Sequence, residues 1–279
     1  MQVVNNRAVN LRQLFDLVPH GGDVYVGEGL EYPWGGLYGG HIVAQALRAA
    51  AFTVDDEVIP HSLRAYFIRR GNNKQPVRYE VDRIRNGKSF VTRRVVARQD
   101  DGAILNLESS FQRYEDSIDV TTVKPQLHLP DPETISESSW STFLQRRTLP
   151  SSALVGQHRD GSGRVAAWLR VKDSLGESEL LNRCALAYLS DDLPTESVVC
   201  AVPELQEASN EGRRFSASLD HAVWFHRPVR ADQWHLYEMT CHTFVGGRGL
   251  AHGYVFGADG THVATVAQET LVRIMPNAR

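Results

Sequence analysis

An α+β protein is expected from this sequence, with two antiparallel sheets, each wrapped around a long buried helix, and a linker between them. Three features of the chain favour this class. The chain repeats itself at a fixed spacing, each copy has segments that alternate apolar and polar residues, and each copy has one apolar helical segment. Its 279 residues, 42% of them hydrophobic, are enough for two such domains.

The repeat covers the strand-rich part of each copy. The segment from Ala65 resembles the segment from Val223, and matched residues lie 158 positions apart without a gap. An ungapped register through several strands and a turn indicates a duplicated domain. The matches are Phe67 with Phe225, Arg69 with Arg227, Tyr79 with Tyr237, Glu80 with Glu238, and Asp101-Gly102 with Asp259-Gly260.

In the first copy we predict a buried helix followed by an antiparallel meander. Residues 39–52 are rich in alanine, which favours helix, and are apolar on nearly every face. Residues 77–85, 88–98 and 103–113 alternate apolar and polar side chains, as half-buried strands do. The pair Asp101-Gly102 fits a tight hairpin turn, because glycine accepts a positive φ.

The second copy follows the same plan. Residues 178–192 form an apolar segment that ends in two carboxylates and is followed by Pro194, so we predict a helix that stops there. Residues 164–172 are predicted to form a strand. A long helix wrapped by an antiparallel sheet, made twice in one chain, is the double hotdog arrangement, and we expect the edges of the two sheets to pair.

The predicted linker is residues 119–139, which contain prolines at 125, 130 and 132 and little apolar periodicity. The predicted domains are therefore an N-terminal hotdog domain, residues 1–118, and a C-terminal hotdog domain, residues 140–279. Of the two, the C-terminal domain is expected to carry the chemistry.

Charge and composition exclude several classes of function. The net charge of −3 argues against a nucleic-acid partner, and no apolar run approaches the roughly 18 residues of a membrane span. Three cysteines without a pattern fit a reducing compartment. The first residues lack a secretory signal and the last residues lack a peroxisomal one, so we expect a cytoplasmic protein.

Common catalytic motifs do not occur in the chain. It contains no Gly-x-Ser-x-Gly elbow, no Walker loop, no helical His-x-x-x-His pair with a carboxylate and no Cys-x-x-Cys, so we expect no metal. Gly39-Gly40 opens the first helix. This pair is open to two interpretations: close approach of another backbone, or free N–H groups that hold an oxyanion.

The most informative polar residues lie in the second copy. Asp191 ends an apolar helix, where a carboxylate opposes the helix dipole, so burial and its acidic neighbour would raise its pKa toward that of a general base. Ser218 is predicted to open a strand, and Gln268 lies in an otherwise apolar final strand, where it needs hydrogen-bond partners. Asp220 and His221 form a competing acid/base pair or a structural pair.

At these residues the sequence resembles the type II acyl-CoA thioesterase family, which is a double hotdog. The resemblance spans most of the chain, and its most specific segments are NGKSF and DHAVWFHRP. The matching segments are 36–46 (GLYGGHIVAQA), 61–71 (HSLRAYFIRRG), 85–94 (RNGKSFVTRR), 109–112 (SSFQ), 188–191 (YLSD), 218–228 (SLDHAVWFHRP) and 266–269 (VAQE).

The resemblance implies a catalytic set of an Asp, a Ser or Thr, and a Gln that together hold a water. Position by position these are Asp191, Ser218 and Gln268, with Asp191 as general base. The first copy has Pro60 and Ser110 at the positions 158 residues before Ser218 and Gln268, which implies one site per chain.

The resemblance also implies hydrolysis of fatty acyl-CoA to a fatty acid and coenzyme A, with no cofactor because coenzyme A is part of the substrate. Gly39, Gly40 and His41 at the start of the first helix, and the cations Arg69 and Arg227, are the expected substrate-binding residues. The family implies a homo-oligomer, a dimer or tetramer, which a monomer mass by light scattering would contradict.

Two other functions remain open on the sequence. A hotdog acyl-CoA hydratase would use an Asp-His pair such as Asp220 and His221, and His221→Ala would then abolish turnover while Gln268→Ala would spare it. A noncatalytic acyl-binding module would release no thiol from any acyl-CoA.

Overall fold

A computed structural model describes residues 10–125, 129–154 and 163–276. The predictions about a secretory signal and a peroxisomal signal concern the two ends of the chain, which lie wholly or partly outside these ranges. Residues 126–128 of the predicted linker also lie outside them. Among its described residues, the predicted linker has one short 3-10 turn, Pro132–Thr134, and otherwise no helix or strand. The domain boundaries stay predictions.

The elements of the N-terminal half follow the predicted plan. A short helix, α1, and a small hairpin precede the predicted helix and its meander. The elements are α1 (Leu11–Leu14), β1 (Val18–Pro19), β2 (Val24–Gly27), α2 (Gly39–Ala51), β3 (Val58–Phe67), β4 (Val77–Asn86), β5 (Phe90–Gln99) and β6 (Gly102–Arg113).

The C-terminal half repeats the strand pair, the long helix and the meander of the N-terminal half, and it adds two helices and a short strand after the long helix. Its elements are β7 (Leu144–Thr148), β8 (Arg164–Val171), α3 (Glu179–Ser190), α4 (Pro194–Cys200), α5 (Pro203–Asn210), β9 (Arg214–Ser218), β10 (Asp220–Phe225), β11 (His235–Val245), β12 (Arg248–Gly257) and β13 (His262–Ile274).

The strands of both halves form one continuous sheet. Its order is β1-β2-β4-β5-β6-β3-β10-β13-β12-β11-β8-β7, and β9 pairs with β13 beside β10. The halves join where β3 pairs antiparallel with β10, in a register that places Leu63 opposite Val223. The expected pairing of the two sheet edges and the double hotdog fold are therefore confirmed.

The repeat has two spacings. Strands β5 and β12 are related by 158 positions, whereas β2 begins 140 positions before β8 and α2 begins 140 positions before α3. The difference is 18 residues, and it falls after α3, where the chain forms α4 and α5. We predicted that the helix ends before Pro194, which is correct, but the sequence pattern did not reveal these two short helices.

The two long helices lie in the core and contact each other. Nearly every residue of α2 is buried, and α3 is buried from Leu181 to Ser190. Ser178 caps the start of α3 by accepting the N–H of Leu181, and Asp191 follows its last turn. Within the described ranges, no helix is long and apolar enough to cross a membrane.

Candidate active site

The structure brings the three predicted catalytic side chains together. Asp191 comes from the end of α3, Ser218 from the end of β9 and Gln268 from the middle of β13. The Ser218 hydroxyl donates to Oδ1 of Asp191 over 3.3 Å, and Nε2 of Gln268 donates to Oγ of Ser218 over 2.8 Å. Three distant stretches of chain therefore supply one hydrogen-bonded cluster.

One expectation about Ser218 is wrong. We predicted that it opens a strand, but it is the last residue of β9. The strand is interrupted at Leu219, whose N–H donates to the carbonyl of Glu269 and whose carbonyl accepts the N–H of Phe67. Such an interruption re-aims the adjacent side chain, and here the Ser218 hydroxyl points to Asp191.

Asp191 is a buried carboxylate with uncharged partners. Its other oxygen, Oδ2, accepts the N–H of Gly40 over 2.8 Å, and the residue is 8% exposed. Burial raises its pKa from 3.8 to about 7, against the hydrogen bonds from Gln268, Gly40 and Ser218, which lower it. A carboxylate with a pKa near 7 is suited to take a proton at neutral pH.

The start of α2 approaches Asp191 closely because two residues lack side chains. A Cβ on Gly39 would lie 2.5 Å from Oδ2 of Asp191, and one on Gly40 would overlap the carbonyl of Tyr188. The carboxylate therefore faces the positive end of α2, which offsets part of the cost of its position at the end of α3. Of the two interpretations of Gly39-Gly40, close backbone approach is confirmed.

The neighbouring carboxylate, Asp192, has a different environment. Its Oδ2 lies 2.9 Å from Nε of Arg146, and its Oδ1 accepts the indole N–H of Trp140 over 2.5 Å. Arg146 also pairs with Glu196. One carboxylate at the end of α3 is therefore held by a cation, and the other, Asp191, faces Ser218 and Gly40.

Gln268 is fully buried and both ends of its amide have partners, as its position in an apolar strand requires. Its Oε1 lies 2.6 Å from Nδ1 of His221, and Nε2 of His221 lies 2.8 Å from the hydroxyl of Ser190. Burial lowers the pKa of His221 to about 4, so its ring is neutral at pH 7. The sequence suggests His221 only as a partner of Asp220, and it gives no signal for Ser190.

Asp220 and His221 do not act on one site. Adjacent strand residues point to opposite faces of a sheet, and the two side chains have different partners. Asp220 is partly exposed and accepts the backbone N–H of Glu269 over 2.6 Å, whereas His221 is fully buried beside Gln268.

The expected substrate-binding residues lie in different environments. His41 is fully buried, with Nδ1 2.9 Å from the hydroxyl of Tyr32 and Nε2 3.1 Å from the carbonyl of Glu28. Arg69 donates to the carbonyl of Ala103 over 2.9 Å. Their contact with substrate stays a prediction.

Arg227 is held by two acceptors of the chain itself. Its Nε donates to Asp119 over 3.0 Å and its Nη1 to the carbonyl of His262 over 2.6 Å. These bonds use part of the donor capacity that a phosphate would need. Its expected role in substrate binding also stays a prediction.

A cluster of aromatic rings packs beside Gly40. The ring of Tyr38 packs against Trp140 and Tyr188 with centroids 4.9 and 5.1 Å apart. The hydroxyl of Tyr38 is buried and has no hydrogen-bond partner among the described residues. Sequence reasoning missed this residue, because an aromatic beside a glycine pair is compatible with ordinary core packing.

The first copy lacks the polar set. Taking the spacing of 140 for the helix and 158 for the strands, the residues equivalent to Ser190, Asp191, Ser218, His221 and Gln268 are Ala50, Ala51, Pro60, Leu63 and Ser110. The first copy nevertheless contributes the start of α2, so the site lies between the two halves. Within the described residues, no group of three or more potential ligands could hold a metal ion.

Comparison with known proteins agrees with this arrangement. Residues 30–112 match the family description "Acyl-CoA thioesterase N-terminal domain", and residues 121–272 match "Acyl-CoA thioesterase C-terminal domain". The chain is 34% identical to acyl-coenzyme A thioesterase 8 of Mus musculus, over 97% of this chain and 91% of that protein. It is 28% identical to acyl-CoA thioesterase 2 of Haemophilus influenzae, over 97% and 98% of the two chains.

A solved structure has the same fold over nearly its whole length. It is an acyl-CoA thioesterase II from Mycobacterium marinum, with a TM-score of 0.83, 32% identity, and coverage of 96% of this chain and 99% of that chain. Both family descriptions, the relatives and this structure agree with the resemblance of the motifs. The chain belongs to the type II acyl-CoA thioesterase family.

Proposed function

We propose that Asp191 is the general base that activates a water for attack on an acyl-CoA thioester, and that Ser218 and Gln268 hold this water. The chain is an acyl-CoA thioester hydrolase, as its family membership indicates. The observation that carries the proposed mechanism is the buried carboxylate of Asp191, which is bonded to Ser218 and Gly40.

The proposed reaction needs no covalent acyl-enzyme. Asp191 takes a proton as the water oxygen bonds to the thioester carbon, and the carbonyl oxygen becomes negative. The tetrahedral intermediate then expels the coenzyme A thiolate, which receives the proton from Asp191. A general base of this kind contributes typically about 10²- to 10⁴-fold to the rate. We propose that no cofactor is required beyond the coenzyme A of the substrate.

The start of α2 offers donors for the negative oxygen. The N–H of Gly40 is bonded to Asp191, but the N–H groups of Gly39 and His41 belong to the same first turn and have no acceptor within the helix. We propose that one of them stabilises the carbonyl oxygen. This role would involve the backbone of His41, whose ring is buried.

The hydratase alternative is less well supported. A hydratase pair needs its aspartate and histidine at one site, whereas Asp220 accepts a backbone N–H of Glu269 and His221 bonds to the side chains of Ser190 and Gln268. Loss of turnover in His221→Ala also does not distinguish a hydratase from a thioesterase. Because His221 lies 2.6 Å from Gln268, His221→Ala would disturb a thioesterase as well.

The proposed substrate is a fatty acyl-CoA, and the proposed location is cytoplasmic. Arg69, whose side chain donates to the carbonyl of Ala103, is a better candidate for the coenzyme A phosphates than Arg227, whose guanidinium is paired with Asp119. A homo-oligomer, dimer or tetramer, also remains a proposal.

The experiment is release of coenzyme A thiol from acyl-CoAs of several chain lengths, measured with a thiol reagent. We expect Asp191→Asn to lower kcat by about 10²- to 10⁴-fold. Asp220→Asn is the matched control, because it removes a nearby carboxylate on the opposite face of the sheet, and it should retain most activity. Absence of thiol release by the wild-type chain at every length would refute the proposal and favour an acyl-binding module.

A further inference from the structure

A chain of hydrogen bonds runs through the buried side of the site. It passes from the hydroxyl of Ser190 to His221 over 2.8 Å, from His221 to Gln268 over 2.6 Å, from Gln268 to Ser218 over 2.8 Å, and from Ser218 to Asp191 over 3.3 Å. Ser190, His221 and Gln268 are all fully buried. Water therefore does not compete for the bonds of His221 with Ser190 and Gln268.

The hydrogen bonds of this series can all form in either of two directions of donation. In the forward direction, each group donates to the next, from the Ser190 hydroxyl to the carboxylate of Asp191. In the reverse direction, Ser218 donates to Gln268, the amide donates to His221, the ring donates to Ser190, and Ser190 donates to the carbonyl of Ala187, 3.0 Å away. The reverse direction requires the Gln268 amide to be turned over and the proton of His221 to move to Nε2.

An ionised Asp191 selects the forward direction. A carboxylate only accepts hydrogen bonds, and in the forward direction the Ser218 hydroxyl donates to it. In the reverse direction Oδ1 of Asp191 would lose this donor. The forward direction therefore places the proton of His221 on Nδ1, where it is donated to Oε1 of Gln268, and turns the amide NH2 toward Ser218.

The direction of these hydrogen bonds determines whether Gln268 presents its NH2 group or its carbonyl oxygen to the site. In the forward direction its NH2 faces Ser218 and Asp191, so it presents donors there. In the reverse direction it would present a carbonyl oxygen beside a carboxylate, which is repulsive and cannot stabilise a developing oxyanion.

We propose that His221, supported by Ser190, is a positioning residue that holds the Gln268 amide with its NH2 toward the catalytic carboxylate. This inference deepens the function proposed above and rests on it for the kinetic readout. His221 does not touch the reacting atoms and acts only through Gln268.

Two amide substitutions of His221 separate positioning from packing. The amide of Asn lies near the position of Nδ1 of histidine, so His221→Asn can still donate to Gln268. The amide of Gln lies near the position of Nε2, so His221→Gln can reach Ser190 but leaves Oε1 of Gln268 without this donor. Both variants remove the ring, so a role limited to filling space predicts similar losses.

We expect His221→Asn to keep kcat within a few-fold of the wild type, and His221→Gln to lower it by up to ~10²-fold, as a misplaced catalytic group does. KM should change little in both. The same pair of substitutions at His61 is the control. His61 lies 2.8 Å from Ser110, which has in the first copy the position that Gln268 has in the second, and it is far from Asp191 in the sequence. Equal losses in the two His221 variants, or a larger loss in His221→Asn, would overturn the proposal.

A second measurement does not depend on turnover or on a folded variant. ¹⁵N NMR of the wild-type protein with labelled histidine rings, at pH 8, reports which nitrogen of His221 carries the proton. We expect the proton on Nδ1. A proton on Nε2 would contradict the forward direction and refute the inference. Absence of thiol release with the proton on Nδ1 would instead reject the proposed function and leave the hydrogen-bond arrangement intact.

Discussion

At the scale of single residues, the site depends on a carboxylate whose burial in the ionised form costs free energy. Asp191 is buried and its pKa is raised from 3.8 to about 7, so the folded state binds a proton more tightly than the unfolded state does. Between these two values the folded state carries more protons, and its stability falls as the pH rises. Above pH 7 the cost is complete, on the order of 4 kcal/mol from about 1.36 kcal/mol per pKa unit.

Replacing this carboxylate should therefore stabilise the protein while inactivating it. We expect the free energy of unfolding of Asp191→Asn to exceed that of the wild type by about 1–4 kcal/mol at pH 8, and by much less at pH 4. Denaturant unfolding at the two pH values measures the difference. A difference that does not change with pH would contradict the raised pKa.

The neighbouring residue supplies a control for this experiment. Asp192→Asn removes one of the two carboxylate partners of Arg146, which is mostly buried, and leaves its guanidinium with less compensation. We expect this variant to be less stable than the wild type at pH 8, because removing one partner of a buried ion pair is destabilising. The two adjacent substitutions should thus have opposite signs.

Among the residues of the site, those with a chemical anomaly in the sequence were predictable. Asp191 opposes its helix dipole and Gln268 interrupts an apolar strand, and the structure gives both the buried partners that they need. His221 has no such anomaly, because a histidine in an alternating strand is compatible with either face. Its partner Ser190 is the last residue of α3, and only the tertiary fold brings it within 2.8 Å of the ring.

At the scale of elements, the contact between the start of α2 and the end of α3 builds the site. The two helix ends approach closely enough for the Gly40 N–H to reach Asp191, and the Cβ of any other residue at position 40 would meet the carbonyl of Tyr188. Backbone cannot move aside as a side chain can. The distance between the helices therefore depends on this glycine.

We expect Gly40→Ala to push the helices apart. The predicted result is a loss of about 1–3 kcal/mol of stability from overpacking, together with a fall in kcat that exceeds any change in KM. Thermal unfolding and thiol release measure the two effects. Gly176→Ala is a control in open space, although its φ of 65° makes some strain unavoidable. Full activity in Gly40→Ala would show that this close approach is not required.

The strands were more predictable than the helices that were inserted between them. The spacing of 158 residues transfers from β5 to β12 without error, because paired strands tolerate few changes in length. The spacing of the buried helices is 140, and the chain forms α4 and α5 between α3 and β9, where the difference of 18 residues arises. The structure of an insertion without a counterpart cannot be transferred from the other copy.

At the scale of the whole molecule, the two halves share one sheet and one site. Strand β3 pairs with β10, Leu219 accepts the N–H of Phe67, and Gly40 of the first half donates to Asp191 of the second. The first copy lacks the polar residues of the site but supplies one of the bonds to its base. A C-terminal half alone would have an exposed sheet edge and a carboxylate without this donor.

We therefore expect neither half to hydrolyse acyl-CoA by itself. Residues 1–125 and 126–279, produced separately, should release no thiol, and co-production should restore activity if the two pieces associate through β3 and β10. The Gly40→Ala substitution in the first piece is the control, since it should prevent the recovery. Activity of the isolated C-terminal piece would contradict a site shared between the halves.

The most direct test of Asp191 as general base is the pH dependence of kcat/KM for thiol release. The base must be ionised in the free enzyme. We expect kcat/KM to be constant above about pH 8 and to fall about tenfold per pH unit as the pH drops below the raised pKa of Asp191, about 7. A value of kcat/KM that stays constant down to pH 5 would contradict the assignment of Asp191 as the base.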